Sequence, residues 1–304
     1  MRTRAARADL RMHRRTSIGF GVSAVLLSLL AVTPGIALAD GGPGGETANA
    51  PAVPMTAAQI QVRNMKLQMM PSLAGGGSSK VATHGPVPNI LPPDGGNGSY
   101  PDSVVLNAKA RHQHRMYYCG PATIQVLSNL TWGYTGASTD GEAATNNKYT
   151  QTYISATWAH ASSSSGTSID NLIDGLNGAS QLPYAGFYSQ WQNPSWAQFH
   201  SAIMVDTAGF GVGVAAGVNP RKAGSIYYLI SWKNNTPKDS IGHYIPIRGY
   251  SGNEQDSAKA YYSDSSGGKD EVDGTLIAGS TGNFSDLSYT VYKTMMNRYG
   301  NLAW

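Results

Sequence analysis

The hydrophobic pattern changes its period once along this chain, and that change sets the class of fold. After Cys119 the apolar residues recur at helical spacing. Ala122, Val126, Leu127 and Leu130 mark one face, and Ile169, Leu172, Ile173 and Leu176 mark another. Residues 149–160 and 196–204 read as two further helices. Beyond about residue 209 the pattern shortens into runs rich in Val, Ile and Tyr, bounded by Gly, Pro and Asn. These runs are 210–218, 225–232, 243–250 and 260–263. Helices first and antiparallel strands later predict an α+β fold over 101–304. Gly175 and Gly178 are expected to end the helix that begins near Ser168. Residues 287–298 fit strand or helix equally, and no internal repeat is visible.

The first 100 residues read differently. Residues 1–17 are Arg-rich, 18–32 form an apolar run broken by Gly and Ser, and Ala37-Leu38-Ala39 supplies a small-x-small cleavage site. This order predicts a secretory signal peptide over 1–39 and a mature protein outside the cytoplasm. The uninterrupted apolar stretch is shorter than the roughly 20 residues a membrane span needs, and no later segment is apolar enough either. Arg14-Arg15 fits a twin-arginine signal only in part, so the export route stays open. Residues 40–100 are rich in Gly, Pro and Ala around one amphipathic stretch, 57–70. They read as a flexible linker or pro-segment without a core of its own, the stretch 57–70 as a short helix.

Charge must be read with the signal set aside. The whole chain has 22 Lys and Arg, 18 Asp and Glu, and a formal charge of +4. Residues 1–39 hold six of the basic residues and one of the acidic ones. The remainder therefore carries 16 basic and 17 acidic groups, a charge of −1. The basic balance belongs to the targeting segment and gives no reason to expect nucleic-acid or anionic-membrane binding.

A single cysteine among 304 residues excludes a disulfide scaffold. In an exported protein it reads as a reactive thiol, an intermolecular bridge or a buried structural residue. Its neighbours favour the first. Cys119 is followed by Gly120-Pro121-Ala122, so it stands at the start of a helix, where the partial positive charge favours thiolate. A Cys nucleophile needs a basic partner, a group that orients that partner, and oxyanion donors. Gln113, six residues earlier, is a candidate donor beside the Cys119 backbone N–H. His243 opens an apolar strand directly after Gly242, and Asp264 closes the Tyr-Tyr-Ser-Asp strand that follows. Two adjacent antiparallel strands would place Asp264 against His243 and fix its tautomer. His112, His114, His160 and His200 read as surface or structural residues.

Gln113, five intervening residues, then Cys119-Gly120-Pro121-Ala122 resembles the papain-like superfamily. More narrowly it resembles the bacteriocin-processing (double-glycine leader) cysteine peptidases and their stand-alone secreted relatives. Gly242-His243-Tyr244, Gly249-Tyr250 and the strand ending at Asp264 fit the later segments of that family. Tyr149-Thr150-Gln151 and Gly166-Thr167-Ser168 resemble its middle region. The resemblance covers about 110–270. It implies a papain-like fold, with a helical part carrying Cys119 and a sheet carrying His243 and Asp264. It implies a Cys119–His243 thiolate–imidazolium pair, Asp264 as orienter, and Gln113 as an oxyanion donor. It further implies a peptide or protein substrate cleaved through an acyl-enzyme. Two departures stand out: Ser265 follows Asp264 where family members often have Pro, and a polar insertion fills 251–259. A phosphate-binding loop and membrane spans are absent, so the transporter-fused arrangement of the family is not expected. A thiol acyltransferase or amidase of transglutaminase type, or a non-catalytic binding protein, could use the same scaffold. No cofactor is implied. His and Cys do not cluster as zinc ligands do, and Asp264, Asp270, Glu271 and Asp273 lack calcium-loop spacing.

Overall fold

A computed structural model describes residues 53–70, 100–134, 147–220, 229–232, 242–274, 276–277, 279–288, 291–292 and 301–304. The expected export signal over 1–39, most of the expected linker and residues 293–298 lie outside the described residues. Among the described residues, no helix is long and apolar enough to cross a membrane.

The fold is α+β. The helices are α1 (Ala57–Met69), α2 (Cys119–Trp132), α3 (Gln151–Ile154), α4 (Ile169–Ser180) and α5 (Trp196–Met204). The strands are β1 (Ser103–Val105), β2 (Gln190–Gln192), β3 (Val214–Val218), β4 (His243–Ser251), β5 (Lys259–Asp264), β6 (Gly282–Leu287) and β7 (Asn301–Ala303). They pair in the order β2-β7-β3-β4-β5-β6, with β1 also on β4, and every pair is antiparallel.

The sheet is covered on both faces, which explains why β3 reads as a continuous apolar run rather than an alternating one. Val214, Ala216 and Val218 join Phe199 and Ile203 of α5 in one core. Ala215 joins Ile124 and Leu127 of α2 and Leu172 and Leu176 of α4 in the other. Helix α2 is the central element, buried from Gly120 through Asn129. Its polar side chains are therefore partnered internally. Gln125 Nε2 donates to Tyr149 O at 2.8 Å, and Asn129 Nδ2 donates to Asn147 Oδ1 at 2.9 Å. Gly133 ends the helix in the left-handed conformation, with φ 71°.

Several expectations need correction. Helix α4 runs through Gly175 and Gly178 to Ser180. These glycines are packing sites rather than stops. A Cβ on Gly175 would lie 2.4 Å from Ile124 Cδ1, and one on Gly178 would lie 2.5 Å from Trp158 Nε1. Within the strand expected over 225–232, Ile230–Trp232 forms a 3₁₀ turn and 225–228 lie outside the described residues. The 149–160 helix is α3 followed by a π-helical turn, Ser155–Ala159.

Helix α1 forms where 57–70 predicted a helix, but it does not stand apart from the core. Thr56 and Gln59 close its first turn in a capping box. Gln59 Nε2 donates to Tyr188 O at 3.0 Å, and Arg63 Nη1 donates to Gln190 O at 2.7 Å. Lys66 Nζ pairs with Asp206 Oδ1 at 2.9 Å, both side chains being buried. Part of the 40–100 segment is thus built into the domain.

Candidate active site

Cys119 lies at the first position of α2. Tyr118, the residue before it, offers no side-chain cap. The first N–H groups of a helix have no partner within the helix, so the start of α2 presents donors beside the thiol. Gly120 is required here by space. A Cβ at this position would lie 2.4 Å from Thr167 Oγ1, so only glycine lets the turn at 166–168 close against the helix start. The helix is also tied to the sheet. Thr123 Oγ1 donates to Tyr244 O at 3.1 Å, one residue from His243.

Strand register brings the acid to the base. Ile247 on β4 lies opposite Tyr262 on β5, so the end of β5 rises beside the start of β4. The polar insertion over 251–259 falls at the opposite end of this hairpin, where Gly252 and the Glu254–Ala258 turn reverse the chain. It leaves the site undisturbed. Asp264 Oδ1 accepts from His243 Nε2 at 2.9 Å. Because the carboxylate can only accept, Nε2 carries the proton. The remaining ring nitrogen, Nδ1, is left for Cys119, whose side chain interacts with His243 and raises its pKa.

Both partners of the His243–Asp264 pair are buried. Burial alone would lower the imidazole below its ordinary value. The Asp264 charge and the hydrogen bonds with Asp264 and Cys119 outweigh it and push His243 up to about 10. Burial would likewise raise Asp264, but His243 and the hydroxyls of Ser266 and Ser231 hold it down at about 2. The imidazolium form therefore prevails at neutral pH.

Sequence reasoning missed the shell around Asp264. Ser266 donates to Oδ1 through both its backbone N–H, at 2.9 Å, and its hydroxyl, at 2.6 Å. Ser231 Oγ, at 2.7 Å, and Trp232 Nε1, at 3.0 Å, donate to Oδ2. The Trp232 ring also meets the His243 ring edge-on, with centroids 5.3 Å apart. Ser266 was findable, since a Ser two residues after an Asp forms a local Asx-type turn. Ser231 and Trp232 gave no local signal, because their contact with Asp264 spans more than 30 residues.

The structure brings Cys119, His243 and Asp264 together, but it uses Gln113 differently from the expectation. A primary amide has two N–H donors. Gln113 Nε2 gives them to Arg115 O at 3.1 Å and Met116 O at 2.7 Å, while Oε1 accepts from Ser265 Oγ at 3.2 Å. Gln113 therefore offers no spare donor to an oxyanion in this state. It holds the loop that leads into Cys119. Ser265 ties that loop to the Asp264 strand, and its carbonyl also accepts from Gln113 N at 2.9 Å.

His200 Nε2 contacts Gly252 O at 2.9 Å, and His114 pairs with Glu271; both histidines are engaged with protein groups. The Asp270 carboxylate takes the backbone N–H groups of Met116, Val272 and Asp273. Among the described residues, no group of three or more His, Cys, Asp or Glu is arranged to hold a metal ion. No protein-family model matches this chain, and no curated protein matches it significantly.

Proposed function

We propose that this protein is a secreted cysteine peptidase of papain-like fold, acting through a Cys119 acyl-enzyme. One observation carries the reading. The only cysteine of the chain lies at a helix N-terminus, in contact with an imidazole that a buried carboxylate holds in one tautomer. That combination supplies a nucleophile, a proton carrier and its orienter in hydrogen-bonded sequence.

The chemistry follows from the protons. The Cys119 thiolate attacks the scissile carbonyl carbon, and the oxyanion faces the N–H donors at the start of α2. The carbon–nitrogen bond breaks as His243 gives its proton to the leaving amine. A water then attacks the thioester, His243 accepts its proton, and the acid leaves from the sulfur. Asp264 keeps its charge throughout, because four groups besides His243 Nε2 stabilise it or shield it within the core.

Digestion of a peptide library by the mature protein tests this reading through the appearance of new N-termini. His243→Ala is expected to lose about 10³-fold in rate. Asp264→Asn loses less, because its amide oxygen still accepts from His243 Nε2. A parent protein that yields no new N-termini rules out the proposal. Asp264→Asn losing as much as His243→Ala would reassign Asp264.

The same pair gives a pH signature in stability. His243 is raised from 6.5 to about 10, so its contribution is complete below 6.5 and disappears as pH climbs through about 10. Asp264 is lowered from 3.8 to about 2, so its contribution is complete above 3.8 and disappears as pH falls through about 2. The Tm difference between the parent and Asp264→Asn is therefore largest between pH 3.8 and 6.5 and shrinks above that window. A difference that does not vary with pH contradicts the coupling.

A further inference from the structure

Three residues before the nucleophile stands Met116, with 51% of its surface exposed. An exposed apolar side chain alone means little. Here its backbone is pinned at both polar groups. Met116 N–H donates to Asp270 Oδ2 at 2.8 Å, and Met116 O accepts from Gln113 Nε2 at 2.7 Å. The other Asp270 oxygen accepts from the backbone N–H of Val272 at 2.9 Å, and Val272 is 56% exposed. One buried carboxylate thus fixes the backbone of two exposed apolar residues on two different loops. Further links brace the same loops. Glu271 N donates to His114 O at 3.0 Å, and the side chains of His114 and Glu271 pair.

Resting on the peptidase reading, we infer that Met116, with Val272 beside it, is a specificity-determining contact for an apolar side chain of the peptide substrate. Two lines of reasoning select that occupant. The first is reach. Three residues span at most about 11 Å, so Met116 lies no farther from Cys119 than a substrate residue about three positions from the bond can reach. The second is pre-organisation. A pinned backbone loses little further freedom on binding, while an exposed thioether side chain adapts to aliphatic and aromatic partners alike. Asp270 acts here as a positioning residue.

The test compares library digests by the parent, Met116→Ser, Met116→Leu and Val272→Ser. The parent is expected to favour peptides with an aliphatic or aromatic residue within three positions of the cut. Met116→Ser raises KM for those peptides about tenfold, the cost of losing one buried apolar contact, and Met116→Leu restores most of it. Val272→Ser shifts KM in the same direction by less. A Met116→Ser digest with the parent's profile and KM overturns this inference alone. A parent that cleaves nothing overturns the peptidase reading together with it.

Discussion

Under the peptidase proposal, replacing Cys119 with Ala is expected to abolish peptide hydrolysis and to leave the folded protein almost as stable as before. The two outcomes come from different parts of the structure. Hydrolysis depends on a nucleophile, and no second cysteine can replace Cys119. Removing the nucleophile from a linked catalytic unit costs nearly all of its rate, on the order of 10⁴-fold or more. Stability depends on what surrounds the thiol. Cys119 is only partly buried at the edge of the core, and α2 is held independently by Thr123, Gln125 and Asn129. Loss of one sulfur atom there costs about 1 kcal/mol or less. Hydrolysis rate and urea unfolding on the same preparation check both halves. Residual wild-type hydrolysis would remove Cys119 from the mechanism.

The second large effect is on stability and arises far from the site. Lys66→Ala is expected to destabilise the fold by about 3–5 kcal/mol near pH 7, between the values of the two groups, because it leaves Asp206 buried without its partner. Lys66 lies 3.4 Å from the Phe187 ring centroid and 5.1 Å from that of Trp304, so no water replaces the ammonium easily. Burial holds Lys66 down at about 8 and pushes Asp206 up to about 6, each partly offset by the charge of the other. The loss should therefore shrink near pH 5, where Asp206 already carries a proton in the parent. Replacing both residues with Met and Leu recovers much of the loss. Thermal unfolding at the two pH values reads this directly. A change below about 1 kcal/mol at pH 7 would mean that α1 is not held by this pair.

The position of α1 also bears on the 40–100 segment. Val218 pairs with His243 at one end of the strands, while Gln190 and Trp304 lie towards the other. Helix α1 docks at Gln190, Tyr188 and Trp304. It braces the end of the sheet remote from His243.

What was legible in the sequence is what short-range chemistry encodes. Cys119-Gly120-Pro121-Ala122 announced a helix start with a thiol on it. Val, Ile and Tyr runs announced β4 and β5, and their antiparallel pairing brought Asp264 to His243. Trp196–Met204 appeared as read, with Ser195 and Gln198 forming its capping box. What was not legible depends on contacts between distant segments. The ends of α4 could not be placed from glycines whose role is to admit Ile124 and Trp158. Strands β1, β2 and β7 have three residues each, too short to carry a period. The amphipathic stretch at 57–70 showed a helix but not that Lys66 would be buried against Asp206, 140 residues away. Gln113 had the right spacing for an oxyanion donor, yet the carbonyls of Arg115 and Met116 capture its amide.

The most direct measurement is the rate of Cys119 alkylation by iodoacetamide as a function of pH, followed by intact mass, in the parent and in His243→Ala. A free cysteine has a pKa of about 8.5 and reacts slowly at pH 6. The thiolate–imidazolium pair predicts fast alkylation of the parent at about pH 6, and its loss in His243→Ala. Equal and slow alkylation of both proteins, rising only as pH approaches the free-thiol range, would contradict the pair and with it the peptidase reading.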